Sequence, residues 1–274
     1  MSRPLGVGAV LLMALAAAGC LLPSFDDLGC DGSCGGSGSG GSGNGGSASA
    51  PCGVDGVLID GPGDTPYCIG KTEVTLLRYC EFLDAVVDEV ELERPAVCDW
   101  ETFEELTECL VTDDDICAAI NQTCNDPGHE NGHLPAVGMD WCGAAMFCLW
   151  DGKRLCGRVG GGHDDDPLRS EWVGACKPTT ETPECSDSGC VDYLDTEGAG
   201  STCEGGVEGL FNMVGNVSEW VDNCEGTSGV SDYCEPRGGD CFEGPAEATC
   251  STVSAPRPRR GEGASLGLRC CWDP

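Results

Sequence analysis

With 274 residues, 43 of them glycine and 23 cysteine, the chain has room for one domain of about 200 residues. Such a domain buries a modest core and relies on cross-links. Its 14 basic against 47 acidic side chains, a formal charge of −33, exclude general nucleic-acid binding, which needs basic patches for phosphates. The balance fits an extracellular protein with a soluble acidic surface that attracts divalent cations.

Residues 1–19 read as a secretory signal: Arg3 near the start, an apolar run from Val7 to Ala18, then small residues. The run is too short to span a bilayer. Its end, Leu15-Ala16-Ala17-Ala18-Gly19-Cys20, resembles a bacterial lipobox, in which Cys20 becomes an acylated N-terminus. Ala17 stands where leucine is usual, which keeps ordinary cleavage at an Ala-x-Ala site open. Setting Cys20 aside leaves an even 22 cysteines (23 − 1), as full pairing needs. Leu21 after Cys20 resembles lipoproteins sent to an outer membrane. The expected location is thus the bacterial envelope, with the lipid as membrane partner. Residues 20–51 form the lipidated N-terminus and a tether. Its Gly/Ser-rich part, 35–50, has nothing to bury and a root-mean-square length of about 20 Å. Cys30 and Cys34 suit a local disulfide; a metal pair would lack further ligands nearby.

Residues 52–274 form the domain. Tyr67–Val74 reads as an edge or hairpin strand leading into a helix capped by Thr75. Leu76, Tyr79, Cys80, Leu83, Val86, Val87 and Val90 recur at helical spacing, with Arg78, Glu81 and Asp84 opposite. Residues 91–127 read as a disulfide-tied, partly helical insertion in which Asp113-Asp114-Asp115 is a solvated face. His129 and His133 are four apart, as helical metal ligands would be. Gly128, Gly132 and Pro135 argue against a helix there, and no third ligand follows, so a structural or solvent role is expected. Asp140 caps a second helix with Trp141, Ala144, Ala145 and Cys148 inward and Gly152 beyond its end. Gly160–Asp166 is a loop, and 169–205 is cysteine-rich with Trp172, Val173, Val191, Tyr193 and Leu194 as its apolar anchors. A loop over Cys224–Pro236, a strand near Arg237–Phe242, a proline-rich loop and a strand over Leu266–Trp272 complete the chain. Cys270 and Cys271 are neighbours in that last strand, so they face opposite ways and take different partners.

The most informative stretch is Gly209-Leu210-Phe211-Asn212-Met213-Val214-Gly215-Asn216-Val217-Ser218-Glu219-Trp220. Asn and Gly tolerate positive φ, so Gly215-Asn216 should turn the chain between two short apolar pieces. That turn either gathers Asn212, Glu219 and nearby carbonyls into an oxygen-rich site of the kind Ca²⁺ takes, or is a buried turn whose Asn and Glu bond to backbone. The stretch follows G-L-[YF]-N-x-x-G-N-[VA]-x-E-W, which resembles the signature of the formylglycine-generating enzyme (sulfatase-modifying factor) family. Five further pieces agree in order. They are Ile69-Gly70-Lys71-Thr72-Glu73-Val74-Thr75, Leu134-Pro135-Ala136-Val137-Gly138-Met139-Asp140-Trp141, Gly152-Lys153-Arg154-Leu155, Arg237-Gly238-Gly239, and Leu266-Gly267-Leu268-Arg269-Cys270.

The resemblance spans residues 66–273 and implies an α+β, C-type-lectin-like fold with sparse regular structure and many disulfides. It implies a structural Ca²⁺ held by the side chains of Asn212 and Glu219 and the carbonyls of Gly215 and Val217. It implies disulfides Cys148–Cys270 and Cys176–Cys250. Active members oxidise a substrate cysteine to formylglycine with O₂ and copper(I), a soft ion that prefers thiolates. Here the chain departs from the family. In Gly238-Gly239-Asp240-Cys241-Phe242-Glu243, Glu243 falls where the first copper-binding cysteine belongs, and the shortened loop to Cys250 leaves nothing at the second. Cys241 sits two places early. The chain also lacks Gly-x-Ser-x-Gly, His-Glu-x-x-His and phosphate-loop motifs. No catalytic residue is therefore assigned. The reading is a non-catalytic binding or structural module for a protein or glycan ligand. Its alternatives are a copper-dependent oxidase using a rearranged pair with Cys241, and a purely structural coat component.

Overall fold

Residues 51–87, 94–100, 114–126, 128, 130–164, 166–176, 207–226, 229–240 and 249–274 are described in a computed structural model of the chain. All belong to the second of two compact units, Ala48–Pro274. The expectations for residues 1–50, for Asp113 and His129, for Val191, Tyr193 and Leu194, and for Cys241 and Glu243 lie outside the described residues.

A hairpin opens the domain. Strand β1 (Gly56–Ile59) pairs antiparallel with β2 (Tyr67–Gly70), Val57 opposite Ile69. Gly63 and Asp64, at φ 70° and 57°, turn the chain between them. The strand expected over Tyr67–Val74 ends at Gly70 because the next residues change partners. Val74 N–H donates to the Leu268 carbonyl, and the Val74 carbonyl accepts from Ala136 N–H at 2.8 Å. Helix α1 (Leu76–Val87) follows, with Thr75 Oγ1 accepting from Arg78 N–H at 3.3 Å as a cap. Its inner face carries Leu76, Tyr79 and Cys80 as the periodicity predicts, and also Phe82.

Helix α2 (Asp114–Asn125) lies within the expected insertion and is tied to α1 by Cys80–Cys124. His133 ends a short 3₁₀ turn, Glu130–His133, and is exposed. Helix α3 (Trp141–Trp150) begins where Asp140 Oδ1 accepts from Gly143 N–H at 2.8 Å, and Gly152 at φ 68° lies beyond its end. Every residue from Trp141 to Cys148 is buried, so α3 is a core helix rather than an amphipathic one. Tyr79, Phe82, Phe147 and Trp150 stack across α1 and α3 with ring centroids 5.4–5.8 Å apart, the range in which aromatic pairs attract.

Strand β3 (Arg154–Leu155) returns to the hairpin sheet, and helix α4 (Glu171–Cys176) places Trp172 in a second apolar cluster with Tyr67, Ile69, Leu210 and Met213. Strand β4 (Ser218–Trp220) runs parallel to β7 (Leu266–Leu268), and β5 (Tyr233–Cys234) pairs with β6 (Arg257–Pro258). Strand β8 (Cys270–Trp272) completes the main sheet, whose order is β1-β2-β8-β3.

Two expectations need correction. Arg237–Phe242 forms no strand over its described part: Arg237 makes isolated bridges to Glu219 and Val253, and Gly238 and Gly239, at φ 95° and 73°, bend the chain away. The single strand expected over Leu266–Trp272 is two strands, because its first half pairs with β4 and its second with β2 and β3. Arg269 is the residue at the switch.

Seven disulfides join described residues: Cys52–Cys68, Cys80–Cys124, Cys98–Cys142, Cys148–Cys270, Cys156–Cys271, Cys176–Cys250 and Cys224–Cys234. So dense a set marks an extracytoplasmic protein. Cys270 and Cys271 take different partners, Cys148 and Cys156. Among the described residues, no helix is long and apolar enough to cross a membrane.

Candidate functional site: an arginine-centred turn and an adjoining cleft

The central turn is built by three residues in the left-handed region, Asn212 at φ 56°, Gly215 at 78° and Asn216 at 63°. These are residue types that tolerate it. Gly215 N–H donates to the Gly238 carbonyl, and Glu219 exchanges two 2.9 Å backbone bonds with Arg237. The turn thus delivers the Glu219 side chain inward from β4, where Ser218, Glu219 and Trp220 are all buried.

The Glu219 carboxylate meets four donor contacts. Trp172 Nε1 donates to Oε2 at 2.6 Å, Arg269 Nε lies 3.0 and 3.1 Å from the two oxygens, and Arg269 Nη2 donates to Oε1 at 2.8 Å. The same guanidinium donates from Nη1 to the Gly70 carbonyl at 2.7 Å and from Nη2 to the Phe211 carbonyl at 2.8 Å. A second carboxylate, Glu73, lies 3.7 Å from Nη2 and accepts from the side-chain amides of Asn216 at 2.7 Å and Asn212 at 3.3 Å. Arg269 is 0 % exposed, Glu219 1 %, Glu73 2 % and Asn212 4 %. Two buried carboxylates thus share one guanidinium. Burial pushes the Glu73 carboxyl up to about 7; Arg269 pulls it down and Glu219 raises it further.

Of the four expected Ca²⁺ ligands, the structure draws Asn212 and Glu219 into this one cluster, with Gly215 and Val217 on the turn between them. As arranged, the Glu219 carboxylate has no acceptor site left for a Ca²⁺ ion. An ionised carboxylate has about four acceptor sites, and the donors of Trp172 and Arg269 already make four contacts with Glu219. Among the described residues no group of three or more His, Cys, Asp or Glu side chains is placed to hold a metal ion. Sequence reasoning gave Trp172 a role as an apolar anchor only, and none to Glu73 or Arg269. Glu73 and Arg269 lie inside two of the motif blocks, but nothing in a linear pattern says that residues 50 apart, Glu219 and Arg269, meet.

The chain leaves β4 at Val221 and Asp222 and enters a cleft of about 570 Å³. Its walls are largely apolar, with Trp141, Leu149 and Leu155 among them, and its polar groups are Asp222, His163, Arg154 and Arg259. Trp141 is held by Nε1 donating to the Val221 carbonyl at 2.9 Å and by the Arg259 guanidinium 4.4 Å over its ring. Arg259 also donates from Nε to the Gly229 carbonyl at 3.3 Å and pairs with Asp232 at 3.4 Å. Arg154 is committed to Glu171 and Asp273. The Asp222 backbone is fixed by N–H to the Cys156 carbonyl at 2.8 Å and by its own carbonyl accepting from Asp164. Its half-buried carboxyl makes no hydrogen bond or ion pair to a described residue. Burial raises this carboxyl above the ordinary range, against lowering by His163, Arg259 and Arg154. A partly desolvated acid in an apolar cleft beside cationic groups is the arrangement that binding sites display. The sequence offered no signal for it, since its members come from six separate segments.

No family model matches the chain, and no curated protein matches it. Among solved structures, the crystal structure of CarF is similar over 81 % of this chain and 97 % of its own, at 17 % identity and a TM-score of 0.42. PvdO from Pseudomonas aeruginosa is similar over 80 % of this chain and 91 % of its own, at 17 % identity and 0.40. Treponema denticola variable protein 1 is similar over 80 % and 92 %, at 16 % identity and 0.38.

Proposed function

We propose that this chain is an exported, disulfide-locked domain of the formylglycine-generating-enzyme type that acts as a binding module and not as an oxidase. Lipidated Cys20 holds it at the outer membrane of a bacterial envelope, the Gly/Ser-rich segment serves as its tether, and the cleft beside Asp222 takes the ligand. The observation that carries the reading is the cleft itself: apolar walls and an aromatic side presented together with a carboxyl that has no described internal partner. An apolar wall with a few fixed polar groups suits a sugar ring or a peptide side chain bearing hydroxyl or amine donors. The motif blocks support the domain type, and Glu243 at the position of a copper-binding cysteine supports the absence of oxidase chemistry.

Two assays on the exported protein test this. A glycan and peptide array is expected to yield a ligand whose affinity falls roughly tenfold or more in Asp222→Asn, as loss of a hydrogen bond to a charged group does. A sulfatase-type cysteine peptide incubated with copper and O₂ is expected to remain unoxidised. Turnover that disappears in Cys241→Ala would establish the oxidase instead.

A further inference from the structure

We propose that Arg269 is the built-in cation of the central turn, so that the fold depends on a tethered guanidinium where the resemblance leads one to expect Ca²⁺. Three observations converge on it. Arg269 sits at the point where the last segment changes partners from β4 to the main sheet, which aims its side chain into the core. Its guanidinium spends its donors on oxygen acceptors from separate parts of the chain: the Glu219 carboxylate on β4, the Gly70 carbonyl on β2, and the Phe211 carbonyl at the entry to the turn. Glu73 adds a second carboxylate at 3.7 Å, itself held by the turn residues Asn212 and Asn216.

These are the hard-oxygen partners a divalent cation would gather, and one rigid planar fork already gathers them. A Ca²⁺ ion at Glu219 would have to displace that fork within a fully buried cluster. It would then leave a second positive charge beside it with no water to screen the repulsion. A tethered cation also differs from a bound one in its thermodynamics. It cannot dissociate, so the stability it confers does not follow ion concentration as a bound ligand's does.

Thermal melting of the full exported protein in millimolar Ca²⁺ and in EGTA tests the proposal. Wild type is expected to melt at the same temperature in both. Glu219→Gln weakens the pairing with Arg269 and is expected to melt several degrees lower by the same amount in both conditions. Should Glu219→Gln fail to fold, Asn212→Gly serves in its place. Glycine keeps the left-handed turn and deletes only the amide, and this variant is likewise expected to show no Ca²⁺ response of its own. A wild-type gain in Ca²⁺ that persists in each variant that folds places the ion on the acidic surface and upholds the proposal. A wild-type gain that is lost in Glu219→Gln or Asn212→Gly would put Ca²⁺ at the turn and overturn it.

Discussion

At the scale of single residues, Asp222 gives the protein a pH dependence whose sign follows from its surroundings. Burial raises its carboxyl above the ordinary aspartate range near 3.8, more than His163, Arg259 and Arg154 lower it. The native state therefore holds this proton at pH values where the unfolded chain has released it. The stability Asp222 contributes is full below the ordinary range and is lost as pH rises through the shifted one. Asp222→Asn is expected to flatten that part of the curve, gaining on wild type between about pH 4 and about pH 7. Guanidinium unfolding midpoints at the two pH values check this, and parallel curves for the two proteins would refute it. Legibility at this scale was uneven. Asp140 announced its role because a cap acts within one turn, whereas Arg269, Glu73 and Trp172 act through contacts between distant segments, which no local pattern encodes. The Asn212-to-Glu219 stretch was recognisable as a turn, but its side-chain partners were not.

Elements show the same division. Helix α3 was readable from end to end, with Asp140 before it, an apolar run within it and Gly152 after it. Removing its cap in Asp140→Ala is expected to cost about 1 kcal/mol, read as a lower denaturation midpoint with an unchanged slope. An unchanged midpoint would show that the Gly143 bond is not stabilising. Helix α4 was not readable, since six residues interrupted by Gly174 carry too short a period. Its start becomes clear only in three dimensions, where Ser170 Oγ accepts from Val173 N–H at 3.2 Å. Strand β1 was missed for a related reason: Gly56-Val57-Leu58-Ile59 is four residues without alternation, and pairing with β2 defines it. The break at Arg269 was missed because Leu266–Trp272 looks uniformly strand-forming. Only the competing partners β4, β2 and β3 divide it.

For the whole molecule, cross-links take over work that a large core does elsewhere. Cys148–Cys270 and Cys156–Cys271 close loops of 122 and 115 residues and fasten β8 to α3 and to the segment after β3. Cys176–Cys250 ties α4 to the segment between Gly239 and β6. In a protein that works by binding, every thiol can be spent on such bonds, whereas a copper oxidase must keep a pair for the metal. A non-reducing peptide map of the exported protein, with thiol alkylation before digestion, separates these two cases most directly. The account predicts an acylated Cys20, the seven pairs seen here, and no alkylated cysteine anywhere in the chain. An alkylated Cys241, or Cys250 joined to Cys241 in place of Cys176, would contradict it.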